Sequence, residues 1–314
     1  MKLDFVRGHM GGNLIILLRG EQIPAGLELE TAVKLMSPNY LYGHEAGILY
    51  QTGWPGRIAV KIADPTVPCF INACGGFTQV LGAALIETGL GKLFGIDGTS
   101  NPVKVILETE CGLTPLIIET DAGKARRIKT DISSFVGDCY KRGVRPLRLG
   151  DLDVMQSGKF LIINADKFRK VYPDSDFSRW NSTTREAVTA LQDDFMAVTG
   201  EKEPNVAVYD WKPEHEGDLR VIFPHYVRDN FFEPSCGTGS IAIAVAIFAA
   251  KELSCRGGDN SETVILHLES GGGIEIGGPD LTVVEMQIEG DRVKAVSFSH
   301  SRVEITSTGE ARLP

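Results

Sequence analysis

The stretch Ser235-Cys236-Gly237-Thr238-Gly239-Ser240-Ile241-Ala242-Ile243-Ala244-Val245-Ala246-Ile247-Phe248-Ala249-Ala250 decides the fold. From Ile241 onward it is apolar all round, which predicts a helix enclosed within a domain rather than one lying on its surface. Lys251-Glu252 end the run too early for a membrane span. The same local text occurs once more: Ala73-Cys74-Gly75-Gly76 leads into Val80-Leu81-Gly82-Ala83-Ala84-Leu85-Ile86, which Glu87 ends. A cysteine, a glycine turn and a core helix, written twice, outline a duplicated domain.

The whole chain has room for two such domains. Its 314 residues are 43% hydrophobic, enough for two modest cores. A formal net charge of -9 and a pI near 5.3 argue against a broad basic surface for nucleic acid or anionic lipid. A small-molecule partner is the better expectation. Met1-Lys2-Leu3-Asp4-Phe5 carries an early acid and reads as neither signal peptide nor anchor, so a cytoplasmic location is expected.

β-branched runs bounded by turn residues predict strands at Leu14–Leu18, Arg57–Ile62, Val103–Glu108, Pro115–Thr120, Leu219–Phe223, Val264–Leu268 and Leu281–Ile288. Helices are expected at Glu28–Leu35, Thr78–Thr88, Asp131–Lys141, Thr183–Val198 and Ser240–Leu253. The mixture reads as α+β: two pseudo-symmetric domains, each a mostly antiparallel sheet or barrel around a buried helix, with the active site between them. The expected division is 1–120 and 121–299, hinged near Ile118 to Gly123, with 300–314 returning to the first domain as a last strand.

Six cysteines, Cys69, Cys74, Cys111, Cys139, Cys236 and Cys255, include no Cys-x-x-Cys pair and no tight Cys/His cluster, so no metal site or disulfide scaffold is signalled. A cysteine in an apolar setting is ordinarily an inert core residue, and Cys69, Cys111, Cys139 and Cys255 fit that reading. Cys74 and Cys236 differ because each precedes a helix. There the positive end of the dipole and the unpaired N–H groups favour a thiolate, which predicts a pKa lowered toward neutrality. The glycines bring the same N–H groups close to a ligand, so each turn is also a carboxylate cradle. Two facing turns would set a base on one side of a substrate carbon and an acid on the other, the requirement for inverting a stereocentre without a cofactor.

Gly237-Thr238-Gly239-Ser240-Ile241-Ala242 also satisfies the dinucleotide pattern G-x-G-x-x-A. The acidic residue expected about twenty positions on is missing, because Cys255-Arg256-Gly257-Gly258-Asp259-Asn260 reads as a loop. A nicotinamide or flavin fold is therefore the weaker reading.

Over most of its length the chain resembles the diaminopimelate epimerase-like superfamily, which includes proline racemases and the phenazine-biosynthesis isomerases. Cys236-Gly237-Thr238-Gly239 looks like that family's second catalytic motif, and Asn72-Ala73-Cys74-Gly75 is similar to its first. Gly8-His9-Met10-Gly11-Gly12-Asn13 and Glu203-Pro204-Asn205-Val206 are similar to segments whose asparagines contact substrate. Arg228 stands where the epimerase has an arginine for a distal carboxylate. The resemblance implies Cys74 and Cys236 as acid and base, with no cofactor and no metal. It gives the substrate carboxylate to Gly75, Gly76, Gly237, Thr238 and Gly239, and the remainder of the substrate to Asn13, Asn205 and Arg228.

The departures bear on the substrate. Gly76-Phe77 replaces the polar pair after the first Cys-Gly, Val227 replaces an acid, and Phe77 with Phe232 implies a smaller or more apolar substrate. Phenazine-type relatives use a glutamate in place of the cysteines, so Glu45 is an alternative acid/base, weighed against an ordinary solvated turn residue. His9 adjoins a matched segment and is a further candidate for the cleft. The expected function is an amino-acid racemase or epimerase acting on a small carboxylate, with a homodimer allowed. The alternatives are a proton-shifting alkene isomerase on a small carboxylic acid and a non-catalytic small-acid binding protein.

Overall fold

The computed structural model describes residues 1–65, 68–110, 112–177, 181–225, 231–253, 261–270 and 280–313. The chain divides into two compact units, one of residues 1–131 with 299–314 and one of residues 132–298.

The first unit runs β1 (Lys2–Met10), β2 (Asn13–Arg19), α1 (Glu28–Met36), β3 (Glu45–Gln51), β4 (Arg57–Asp64) and β5 (Cys69–Ile71). It continues with α2 (Gly75–Glu87), β6 (Val103–Thr109), β7 (Gly112–Asp121) and β8 (Lys124–Asp131). The second unit opens with α3 (Ser133–Arg142), β9 (Val144–Leu149), β10 (Leu152–Ser157), β11 (Phe160–Asn164), α4 (Ala165–Val171) and α5 (Ser182–Thr199). There follow β12 (Asn205–Asp210), β13 (Leu219–His225), β14 (Phe231–Glu233), α6 (Gly237–Ala249), β15 (Ser261–Ser270), β16 (Leu281–Glu289) and β17 (Arg292–His300). The last strand, β18 (Val303–Arg312), pairs antiparallel with β1 in the first unit.

The strand pairing of the first unit is repeated in the second. In the first, β1 and β2 are antiparallel, β2 and β3 parallel, β3 and β4 antiparallel, β4 and β6 parallel, and β6 and β7 antiparallel. In the second, the same succession holds for β10/β11, β11/β12, β12/β13, β13/β15 and β15/β16. The short strands β5 and β14 pair with β4 and β13, and each delivers the chain to a buried helix. Glu45 and Asn205 are thereby equivalent: each opens the strand laid parallel to its predecessor, Glu45 opposite Ile15 and Asn205 opposite Phe160.

Two-sided burial explains the sequence pattern. Ile15 and Leu17 of β2 face the cluster around α2, whereas Ile16 and Leu18 face the cluster that includes Ala32, Leu35 and Met36 of α1. A strand covered on both faces reads as a continuous apolar run, as Leu14–Leu18 does. In the second unit α4 and α5 supply Phe168, Val188, Leu191 and Phe195 to a core with Leu149, Leu161 and Val208. Side chains of Asn164 and Asn181 cap those two helices by accepting from Lys167 N at 3.0 Å and Thr184 N at 2.8 Å. All seven strands and five helices expected from the sequence form, but Ile118 to Gly123 is no hinge. Those residues end β7 and turn at Ala122-Gly123 into β8, inside the first unit. Among the described residues no helix is long and apolar enough to cross a membrane.

Candidate active site

Cys74 and Cys236 occupy one structural position twice. Each is the N-cap of a thirteen-residue helix, in extended backbone at φ -143°, ψ 119° and φ -132°, ψ 110°. Cys74 Sγ accepts the N–H of Phe77 at 3.3 Å, and Cys236 Sγ accepts the N–H of Gly239 at 3.4 Å. The sulfur thus does the work of the serine or aspartate oxygen usual at this position. The first N–H groups of a helix have no intrahelical acceptor. With the third directed to sulfur, those of Gly75 and Gly76, and of Gly237 and Thr238, remain without an intrahelical acceptor.

The helices that carry the cysteines are fixed by burial. Every residue from Gly75 to Leu85 is buried, as are Gly237 and all of Gly239 to Phe248. Within α2 one polar chain survives. Gln79 Nε2 donates to Thr130 Oγ1 at 2.9 Å, and the Thr130 and Thr78 hydroxyl oxygens lie 2.9 Å apart. Thr78 in turn donates to the carbonyl of Gly75 at 2.9 Å, beside Cys74. The N–H of His300 completes the set on Gln79 Oε1 at 3.3 Å.

Asn13 is brought to the first turn of α2. It is 2% exposed, and a Cβ on Gly76 would stand 3.2 Å from its Nδ2. It leaves a two-residue hairpin turn in which Gly11 and Gly12 have φ of 53° and 95°, a turn that glycine adopts without strain. His9 holds this turn by accepting the N–H of Gly12 on Nδ1 at 3.3 Å, with its Nε2 3.5 Å from Glu304. Burial lowers its pKa, which keeps the ring neutral. His44 Nδ1 lies 3.1 Å from Asn13 Oδ1 on the other side. Glu45 is half-buried at the start of β3, on the same face as Gly47, and that face meets the Phe77 ring of α2. It is therefore no solvated turn residue.

In the second unit Thr238 Oγ1 lies 3.5 Å from Cys236 Sγ, and Asn205 is exposed at the start of β12. Glu233, which the sequence reading passed over, stands at the end of β14 with its negative charge acting on the Cys236 thiol. Its only sequence signal is its position three residues before the cysteine. Arg228 and Val227 lie outside the described residues, as do Cys111, Cys255 and the side chain of Phe232. Cys139 is a core residue, its thiol pushed up to about 12 by burial, and Cys69 is half-buried in β5.

Two expectations are corrected. Burial pushes the Cys236 thiol well above its ordinary value, and the negative charge of Glu233 adds to this. The opposing bonds from Thr238 and Gly239 do not offset them, so Cys236 is a neutral thiol rather than a standing thiolate. Phe77 does not line a substrate site. It is fully buried, its ring filling the place a side chain on Gly47 would take, so it says nothing about substrate size.

The chain matches no protein-family model and no curated protein by sequence. It is similar in structure to a hydroxyproline epimerase from Agrobacterium vitis with bound trans-4-hydroxy-L-proline, at 14% identity and a TM-score of 0.62, covering 98% of this chain and 92% of that one. A PhzF-family phenazine biosynthesis protein from Bacillus anthracis matches at 14% identity and a TM-score of 0.63, over 100% of both chains. A probable proline racemase from Agrobacterium radiobacter K84, with bound carbonate, matches at 16% and 0.62, over 99% and 93%. The repeated units and these likenesses agree: the chain has the two-domain fold of these proline racemase, hydroxyproline epimerase and PhzF-family structures.

Proposed function

We propose that the protein is a cofactor-independent isomerase that inverts a carbon next to a carboxylate, with Cys74 and Cys236 as its acid/base pair. The observation that carries this reading is the repeated cap, a cysteine sulfur receiving the third N–H of a buried helix in each unit. Nothing in packing alone calls for cysteine at both places, since serine caps a helix better. The bound hydroxyproline of the epimerase neighbour and the bound carbonate of the racemase neighbour support a small carboxylate as ligand.

In the proposed reaction Cys74, as thiolate, takes the α-proton while Cys236, as thiol, gives its own proton to the opposite face. The thiolate is then on Cys236, and the reverse reaction restores it to Cys74. Negative charge that builds on the carboxylate as the carbanion forms is held by the N–H groups of Gly75, Gly76, Gly237 and Thr238, with Gly239 spent on the sulfur. Asn13, Asn205 and Arg228 orient the remainder of the substrate. His9 acts through the turn that presents Asn13. The raised pKa of Cys236 fits the donor role, and Glu233 beside it keeps the proton on the sulfur until substrate arrives.

A second reading follows from the place of Glu45 on the α2-facing side of β3: a proton-shifting alkene isomerase in which Glu45 moves the proton. One experiment separates the two. Reduced protein is incubated in heavy water with panels of amino acids and small unsaturated acids, following deuterium uptake and optical rotation. The two-cysteine isomerase exchanges an α-proton of an amino acid and loses exchange in Cys74→Ala and in Cys236→Ala. Loss in Glu45→Gln with both cysteine variants active would favour the second reading. Binding without exchange of any compound would overturn both and leave a small-acid binding protein.

A further inference from the structure

The second unit contains a cavity remote from its cysteine turn. It lies at the C-terminal end of α6, against Ala249 and Ala250, and encloses about 410 Å³. That is the size of an ordinary small-molecule site. Its apolar wall includes Met155 and Ile162, paired across β10 and β11 and both buried, and its polar wall includes Tyr209 and Glu252.

The polar groups of the wall are already satisfied. Tyr209 donates to Glu252 Oε2 at 2.8 Å, and Trp211 Nε1 donates to the same oxygen at 3.2 Å. Asp153 at the rim is taken by Arg148 at 2.8 Å. The cations of the rim are not held in this way. Lys167 Nζ is 3.8 Å from Glu252 Oε1, at the outer limit of an ion pair, and Lys251 makes no ion pair among the described residues. Two exposed ammonium groups thus stand beside one half-apolar cavity in a chain of net charge -9.

Lys251 also holds its place against a backbone preference. Helix α6 closes with Lys251 N bonded to Phe248 O at 2.9 Å and Glu252 N to Ile247 O at 3.0 Å, the pair of bonds that ends many helices. The first of the two donor residues must be left-handed, and Lys251 has φ 57°. Glycine fits this position without strain, whereas a lysine accepts the strain and retains a charged side chain at the cavity mouth. We propose that this cavity binds a small organic carboxylate with an apolar body, the carboxylate between Lys167 and Lys251 and the body against Met155 and Ile162. The site is independent of the cysteine chemistry.

The test is calorimetric titration of the full chain with hydrocinnamate and with its uncharged amide. The carboxylate should bind saturably, and the amide about tenfold or more weaker, as expected when a charge-assisted bond is lost. Lys251→Gly should weaken hydrocinnamate by a similar factor while raising the melting temperature, because glycine relieves the left-handed strain. A binding loss in a more stable protein cannot be misfolding. Lys167→Met should weaken binding too, and Cys236→Ser should leave it intact. Absence of saturable binding, equal affinity for acid and amide, or unchanged affinity in Lys251→Gly would overturn the proposal. So would loss in Cys236→Ser alone, which would put the ligand at the cysteine turn.

Discussion

Phe77 and Gly239 are equivalent residues: each is third in its helix and gives its N–H to the sulfur three residues before it, at 3.3 and 3.4 Å. The space around them is filled in opposite ways. In the first unit the helix brings the ring and the strand the glycine, Phe77 against Gly47. In the second the helix brings the glycine and the strand the ring, Gly239 against Phe223. Gly47→Ala should therefore destabilise by about 1–3 kcal/mol through overpacking. Phe77→Leu in the same chain should recover part of that loss. Urea unfolding of the two single variants and the double variant measures the coupling, and simple additivity would show that ring and glycine do not meet.

This swap marks where sequence reading fails. Helices α2 and α6 were legible because a buried helix is apolar in every direction, and that needs no knowledge of its partners. The cysteine caps were legible because a cap is local. Whether Phe77 faces a ligand or the core depends on Gly47, far away in the chain, and no local pattern carries that information. Strand β9 escaped notice for a related reason: Val144-Arg145-Pro146-Leu147-Arg148-Leu149 is charged and broken by proline, and pairing with β10 alone makes it a strand. The desolvation of the half-buried Cys236 sulfur likewise comes from tertiary packing, so the helix dipole alone gives the wrong direction for its pKa.

Serine at either cap separates structure from chemistry. A hydroxyl oxygen accepts the N–H of Phe77 or Gly239 at least as well as sulfur does. Cys74→Ser and Cys236→Ser should accordingly unfold within about 1 kcal/mol of the parent, whereas alanine removes the cap at a cost of about 0.5–2 kcal/mol. On the proposed reaction either serine variant should lose about 10²–10⁴-fold in deuterium exchange. Retained exchange in a stable serine variant would remove that cysteine from the mechanism.

The chain of bonds through α2 has a fixed direction. Thr78 spends its hydrogen on Gly75 O, so Thr130 must donate to Thr78 and accept from Gln79. Gln79→Leu breaks this order and leaves the His300 N–H buried without its acceptor. A loss of about 1–3 kcal/mol is expected. Thr130→Val should cost a comparable amount. The double variant should lose less than the two combined, because it leaves fewer orphaned partners than the single changes leave separately. Full additivity in chemical denaturation would contradict the network.

Acid should weaken the protein through His300. This residue is 7% exposed, and burial pushes its pKa down to about 4. In the unfolded chain the ring titrates near the ordinary value of about 6.5. Below that pH the unfolded chain takes up a proton that the folded chain refuses. The stabilising contribution is thus intact above pH ~6.5 and falls as the pH drops toward ~4, by about 3 kcal/mol in all. His9, whose pKa burial also lowers, acts in the same direction. His300→Asn replaces the ring with a group that does not titrate. It should cost stability at neutral pH through lost packing, yet flatten the decline between pH ~6.5 and ~4. Urea unfolding of both proteins across that range gives the slopes, and identical slopes would exclude His300 as the group that titrates.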